Sequence, residues 1–240
     1  TFGASRTMLR RHEHGGSVAA INRAGAAIAR QAFGEGTGYV LGDIGPLGVL
    51  LEPMGDLTVA EAQTALEEQA AALVQAGVDA LILETQTSLD ELGLAIAAAR
   101  TAGAACIIAS LAYDLSLDGT FYKTMMGVAP EEAARFVEEQ GAHVAALNCG
   151  TGMDMAGAAA VTRIYRQHCS LPVMVQPNAG VPVLENLMAV YKQSPADLAA
   201  AVPAVLAAGA NIVGSCCGST PEHTRAIRGA IDAFNARPAP

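Results

Sequence analysis

The chain has no tryptophan, and aromatic residues make up only 4% of its 240 positions. It is also poor in positive charge: 14 Lys and Arg stand against 23 Asp and Glu, for a formal net charge of −9. Its one basic cluster is Arg6, Arg10 and Arg11. Nucleic acids are held by many cationic contacts, so nucleic acid is not an expected partner. No run of about 18 uninterrupted apolar residues occurs, so no membrane-spanning helix is expected. The opening Thr-Phe-Gly-Ala-Ser-Arg lacks the apolar segment of a secretory signal. Five cysteines are too few, and odd in number, for a secreted disulfide framework. Reduced thiols and a cytoplasmic location are the expectation.

What the chain does have is apolar bulk: 52% hydrophobic residues, rich in Ala, with 25 Gly. That composition suits a large, finely packed core. Short β-rich apolar runs alternate with longer helical stretches. Strands are expected at 39–43, 80–84, 106–111, 144–148, 173–176 and 211–215. Helices are expected at 18–33, 59–75, 89–101, 130–140, 154–168, 195–208 and 221–234. The start signals are local. Thr58 with Glu61, and Ser88 with Glu91, have the spacing of capping boxes. Pro130, Pro195 and Pro221 suit a first helical position, where a missing N–H costs nothing. Gly77, Gly103, Gly141 and Gly209 fall where helices should end.

Regular β–α alternation implies parallel strands joined by helical crossovers. Residues 1–4 look like the tail of one further strand. The expected fold class is α/β, a (β/α)8 barrel of TIM type without its first strand, first helix and most of its second strand. Those parts are expected upstream of Thr1. One domain is expected over 1–235, and a linker is expected to start at 236–240, where Ala-Arg-Pro-Ala-Pro stops the last helix.

In such folds functional groups collect at the carboxyl ends of strands. Here those ends include Glu84-Thr85, Asn148-Cys149-Gly150, Pro177-Asn178-Ala179-Gly180 and Cys216-Cys217-Gly218. Cys149, Cys216 and Cys217 at neighbouring strand ends suit a thiophilic metal with one position left open for a substrate sulfur. A vicinal redox pair, or two small core residues, is the competing reading of Cys216-Cys217. Cys106 and Cys169 read as structural, His12 and His14 as solvated. His223, in a first helical turn, reads as a poor ligand. Glu84 delivers a carboxylate that suits a substrate ammonium; the alternative is a local role at the start of the next helix. Asn178 offers an amide for substrate contact or as a weak oxygen ligand, and is otherwise a turn residue.

Taken in order, Thr-Phe-Gly-Ala, Gly-Asp-Ile-Gly-Pro, Glu-Thr, Asn-Cys-Gly, Pro-Asn-Ala-Gly and Gly-Ser-Cys-Cys-Gly-Ser-Thr-Pro-Glu-His resemble the motifs of the homocysteine S-methyltransferase family. The first two most resemble the homocysteine-binding modules of cobalamin-dependent methionine synthases. The resemblance implies a (β/α)8 barrel in which Cys149, Cys216 and Cys217 hold Zn2+ and L-homocysteine supplies the fourth donor. It implies that Glu84 holds the substrate amino group, that Asn178 lies beside the metal, and that backbone N–H groups around Phe2 and Gly3 meet the carboxylate. It further implies methionine as product, and methylcobalamin as donor on another module, with cobalamin- and folate-binding modules as partners. A free-standing enzyme using a sulfonium donor such as S-methylmethionine is the nearest alternative; a non-catalytic metal-binding module is another. Two departures stand out. The family's Asp-Gly motif from the first strand is absent, and residues 118–126 do not follow the family's Gly-x-x-Leu-x-Gly pattern.

Overall fold

A computed structural model describes residues 1–34, 36 and 38–236. Of the expected linker start, only Ala236 is described; it caps the last helix, and 237–240 lie outside the described residues. The chain forms two compact units, residues 1–110 with 139–143, and residues 111–138 with 144 onward.

The first unit opens with helices α1 (Arg6–Arg10) and α2 (Val18–Phe33). Strand β1 (Leu41–Ile44), helix α3 (Val59–Gln75), strand β2 (Ala80–Gln86), helix α4 (Leu89–Thr101) and strand β3 (Ile107–Leu111) follow. β2 lies between β1 and β3, and β1 runs parallel to it, from Leu41 opposite Ala80 to Ile44 opposite Leu83. Residues 80–83 are all buried, as befits a parallel strand covered on both faces. α3 packs between α2 and α4, burying Ala62, Ala65, Leu66, Ala70 and Leu73. Its abundant alanines let neighbouring helices approach closely.

Two local expectations fail here. Residues 1–4 form a turn closed by Ala4 N–H to Thr1 O at 3.0 Å, not a strand tail. Ser5 then caps α1, accepting from Met8 N–H, a helix too short to show a periodic pattern. Thr58 and Glu61 do form a capping box, but Ser88 and Glu91 do not: Ser88 makes no side-chain cap bond. The Glu91 carboxylate instead accepts from Leu47 N–H at 2.6 Å. A tertiary donor captures the group that the local motif would use.

The second unit carries a small hairpin, β4 (Asp114–Leu115) with β5 (Tyr122–Lys123). Helix α5 (Pro130–Glu139), strand β6 (Val144–Asn148), helix α6 (Met155–His168) and strand β7 (Val173–Gln176) follow. A second hairpin, β8 (Val183–Glu185) with β9 (Met188–Val190), precedes helix α7 (Pro195–Ala207), strand β10 (Ile212–Val213) and helix α8 (Pro221–Asn235). β7 lies between β6 and β10. Both pairings are parallel: Ala145 faces Val173 and Asn148 faces Gln176, while Ile212 faces Met174. All five residues of β6 are buried. Beneath them the Tyr113 and Tyr165 hydroxyls meet at 2.7 Å, their rings edge to face.

β10 is shorter than expected because the chain leaves the ladder after Val213. Gly214 N–H still reaches Val175 O, and Cys216 N–H reaches Pro177 O, both at 2.8 Å. The β8–β9 hairpin escaped sequence reading for a different reason. Glu185 pairs with Met188 across a two-residue turn, Asn186-Leu187, and both turn residues have positive φ, 51° and 63°. That is the twist-matched hairpin turn usually written Asn-Gly, and leucine in the glycine position hides it.

Candidate metal centre

β6 ends at Asn148, and the next two residues turn sharply: Cys149 has φ 53° and Gly150 φ 92°. A non-glycine residue in this region is uncommon and costly, so the surrounding structure must impose it. The bonds that do so are Cys149 N–H to Gln176 O at 3.3 Å and Thr151 N–H to Asp114 Oδ1 at 2.6 Å. Gly150 is required by contact as well as by torsion: a Cβ there would lie 1.9 Å from Tyr113 O.

From the other side, β10 delivers Cys216 and Cys217 into a loop that leads to α8. Cys216 O accepts from Ser219 Oγ at 2.5 Å, and Cys217 O accepts from Ala179 N–H at 2.9 Å. Cys149 Sγ then stands 3.6 Å from Cys217 Sγ, and Cys216 Sγ stands 3.9 Å from Cys217 Sγ. The three sulfurs all lie within 4.8 Å of one another. Sulfurs each ~2.3 Å from one tetrahedral ion would be ~3.8 Å apart. The spacing therefore fits a shared ion. It does not fit a disulfide, which needs ~2.05 Å, and all three cysteines are free. Cys149 and Cys216 are partly buried while Cys217 is exposed, so the group has a protein side and an open side.

The electrostatics agree. Three thiols this close cannot all ionise without a cation among them. Hydrogen bonding from Cys216 lowers Cys149 to about 5. The proton donated to Cys149, together with burial, pushes Cys216 up. Burial and the neighbouring Cys149 charge push Cys217 up. One negative charge is thus held by the trio, with two thiols donating toward it.

Asn178 braces the trio. Its Nδ2 donates to Gly150 O at 3.0 Å, and its Oδ1 accepts from Cys217 N–H at 3.2 Å. It is buried, with 3% of its surface exposed. The structure thus brings together Cys149, Cys216, Cys217 and Asn178. Glu84, Phe2 and Gly3 lie in the first unit. There Glu84 is partly buried in β2, next to Thr85, whose φ is 59°. Phe2 O accepts from Gly45 N–H at 3.0 Å.

His223 is excluded as a ligand by its own bonds. Its Nδ1 accepts from Thr220 N–H at 3.1 Å, so Nε2 carries the proton and donates to Gln193 O at 3.0 Å. Cys169 is buried, and His12 and His14 are solvated, as expected. Sequence reading missed Asn148, whose Nδ2 lies 3.9 Å from Cys216 Sγ, although its place beside Cys149 was a signal. It also missed Tyr191, whose hydroxyl burial and the charge of the nearby Cys217 push up to about 12. Nothing near Tyr191 in the chain points to it.

The family model for homocysteine S-methyltransferase matches residues 1–231. The chain belongs to the homocysteine S-methyltransferase family. It is 32% identical over 244 residues to the methionine synthase of Mycobacterium leprae (strain TN), covering 98% of this chain and 20% of that protein. To the methionine synthase of Mycobacterium tuberculosis it is 33% identical over 240 residues, covering 96% of this chain and 20% of that protein. The chain thus spans about a fifth of the length of these curated relatives. Among solved structures it resembles the homocysteine methyltransferase MmuM of Escherichia coli. The metallated form superposes with a TM-score of 0.70 at 20% identity, covering 95% of this chain and 76% of that one. The apo form gives 0.69 at 21% identity over 90% of this chain and 75% of that one. The α/β barrel-type fold expected from the alternating strands and helices is thereby established. The methyltransferase motifs and the cysteine trio fall within the matched region.

Proposed function

We propose that this homocysteine S-methyltransferase domain carries out zinc-dependent methyl transfer to L-homocysteine, giving methionine, as the homocysteine module of a methionine synthase. The observation that carries the reading is the spacing of the three sulfurs, 3.6 and 3.9 Å for the two pairs through Cys217. Zn2+ held by Cys149, Cys216 and Cys217 would supply Lewis acidity that favours the thiolate form of an incoming thiol.

The chain's own groups have separate tasks. The trio, with its partly buried Cys149 and Cys216 and exposed Cys217, admits a ligand from one side. Asn178 ties the Cys149 loop to the Cys217 backbone, so the donor set keeps its shape as ligands come and go. By motif, Glu84 is the acceptor for the substrate ammonium, and N–H groups around Phe2 and Gly3 serve its carboxylate. Methyl transfer forms a bond between the homocysteine sulfur and the methyl carbon and breaks the bond from that carbon to the donor. The thiol proton leaves to solvent. In-line approach depends on holding both reactants in place.

The donor we propose is methylcobalamin carried on another module, as the likeness to two methionine synthases supports. Two measurements test the whole. Metal analysis with homocysteine titration should find about one zinc per chain, with metal and thiol affinity lost together in Cys217→Ala. Zinc and homocysteine binding that survive removal of all three cysteines would refute the metal reading. Methyl transfer from S-methylmethionine, with none from methylcobalamin, would refute the donor assignment.

A further inference from the structure

Strands β6, β7 and β10 end in one layer of residues just short of the cysteines. Asn148 is paired with Gln176, and Gly214 follows Val213, the partner of Val175. Paired residues of adjacent strands project on the same face of a sheet, so Gln176 shares its face with Asn148. Asn148 Nδ2 lies 3.9 Å from Cys216 Sγ, which marks this as the face that looks toward the trio. Gly214 keeps the layer open: a Cβ there would stand 3.3 Å from Gln176 Cγ, closer than most real Cβ contacts. The Gln176 backbone is fixed by the ladder and by its carbonyl, which accepts from Cys149 N–H at 3.3 Å.

Within this layer Gln176 Oε1 is buried and has no hydrogen-bond partner among the described residues. A buried acceptor without a donor is costly, and a native structure that keeps one calls for a reason. Asn178, two residues on, has partners at both ends of its amide. The oxygen of Gln176 is held ready for something else. Of the groups that L-homocysteine carries, the thiol belongs to the metal and the carboxylate can only accept. Its ammonium alone donates N–H groups, three of them, so Gln176 can be one acceptor among several.

We infer that Gln176 is a substrate-binding residue whose amide oxygen accepts a hydrogen from the ammonium of the incoming amino thiol. This rests on the homocysteine reading above, and adds to it the selection of an amino acid over a simple thiol. β7 is paired on both sides, so the acceptor keeps its place before the substrate arrives.

The test uses the zinc-loaded chain with two ligands, L-homocysteine and γ-mercaptobutyrate, which has the same thiol and carboxylate but no amino group. Gln176→Met keeps the length of the side chain and removes the acceptor. In calorimetric titration the variant should bind homocysteine about 10- to 100-fold more weakly, the worth of one hydrogen bond to a charged group. Its affinity for γ-mercaptobutyrate should stay within about twofold of wild type, because that ligand never made the bond. Removing an orphaned acceptor should also leave the urea midpoint unchanged or raise it, which loss of a purely structural glutamine would not do. Gln176→Glu restores an acceptor and should keep the wild-type preference for the amino thiol. Unchanged homocysteine affinity in Gln176→Met, or both thiols weakened alike, overturns the inference while zinc and thiol binding stand. Loss of the preference in Gln176→Glu does the same. A wild-type chain that binds neither thiol in the presence of zinc overturns the homocysteine reading and this inference together.

Discussion

Replacing Gly150 with alanine should separate the two demands that the Cys149 turn makes on the chain. At φ 92° an added Cβ meets Tyr113 O at 1.9 Å and Tyr113 C at 2.6 Å. These are backbone atoms, so no rotamer change relieves the overlap. The two backbone segments must part until the first distance exceeds 3.0 Å, the limit that real Cβ contacts respect. That movement loads the bonds from Leu115 N–H to Thr151 O at 2.8 Å and from Thr151 N–H to Asp114 Oδ1 at 2.6 Å. Positive φ costs a non-glycine residue ~1–2 kcal/mol, and forced overpacking a further ~1–3 kcal/mol, so a loss of ~2–5 kcal/mol is expected. Gly127→Ala is the control: its φ is 86°, but nothing lies within 4 Å of the new Cβ, so only the torsional ~1–2 kcal/mol should appear. Urea denaturation of both variants reads the difference, and metal analysis shows whether Cys149 still reaches its partners. Equal destabilisation of the two variants, or full zinc content in Gly150→Ala, would refute the reasoning.

Three further outcomes are expected. Between about pH 6 and pH 8 Cys149 is already ionised, while Cys216 and Cys217, both raised, still hold protons. Metal binding should then displace two protons, so affinity should rise about 100-fold per pH unit, as competition with a chelator of known protonation can measure; a pH-independent affinity would contradict the charge state argued for the trio. Tyr165→Phe strands the buried Tyr113 hydroxyl, which sits 2.7 Å from the Tyr165 hydroxyl, and should cost ~1–3 kcal/mol in denaturant melts, whereas the double change to Phe at both positions should cost less. Asn178→Ala removes the brace between Gly150 O and Cys217 N–H and should lower zinc affinity ~10–100-fold, with a far smaller effect on the denaturation midpoint; unchanged affinity would show the loops hold their places without it.

Much of the architecture was legible because it is written in local chemistry. Helices α2, α3 and α4 occupy the spans expected of them, α3 behind the capping box of Thr58 and Glu61, and β6 and β7 occupy the apolar runs expected of them. The cysteines were legible as a group because each follows a strand, and strand ends in this fold class share one face. The failures have a common cause. Glu91 has the spacing of a cap but bonds Leu47, a residue distant in the chain. The hairpin turn at Asn186-Leu187 uses leucine where glycine is usual, and only pairing across the turn reveals it.

The amino-acid order alone determined the alternation of strands and helices and the thiol chemistry on offer. Caps, proline positions and apolar periodicity act over a few residues, within reach of a one-dimensional reading. Only the tertiary structure decided that residues 68 positions apart place their sulfurs 3.6 Å from each other. It alone decided that Asn178 faces backbone groups of both cysteine loops, and that Tyr191 leans over Gly218. Those relations depend on which strand pairs beside which and how closely two backbones pass, and no local preference encodes either.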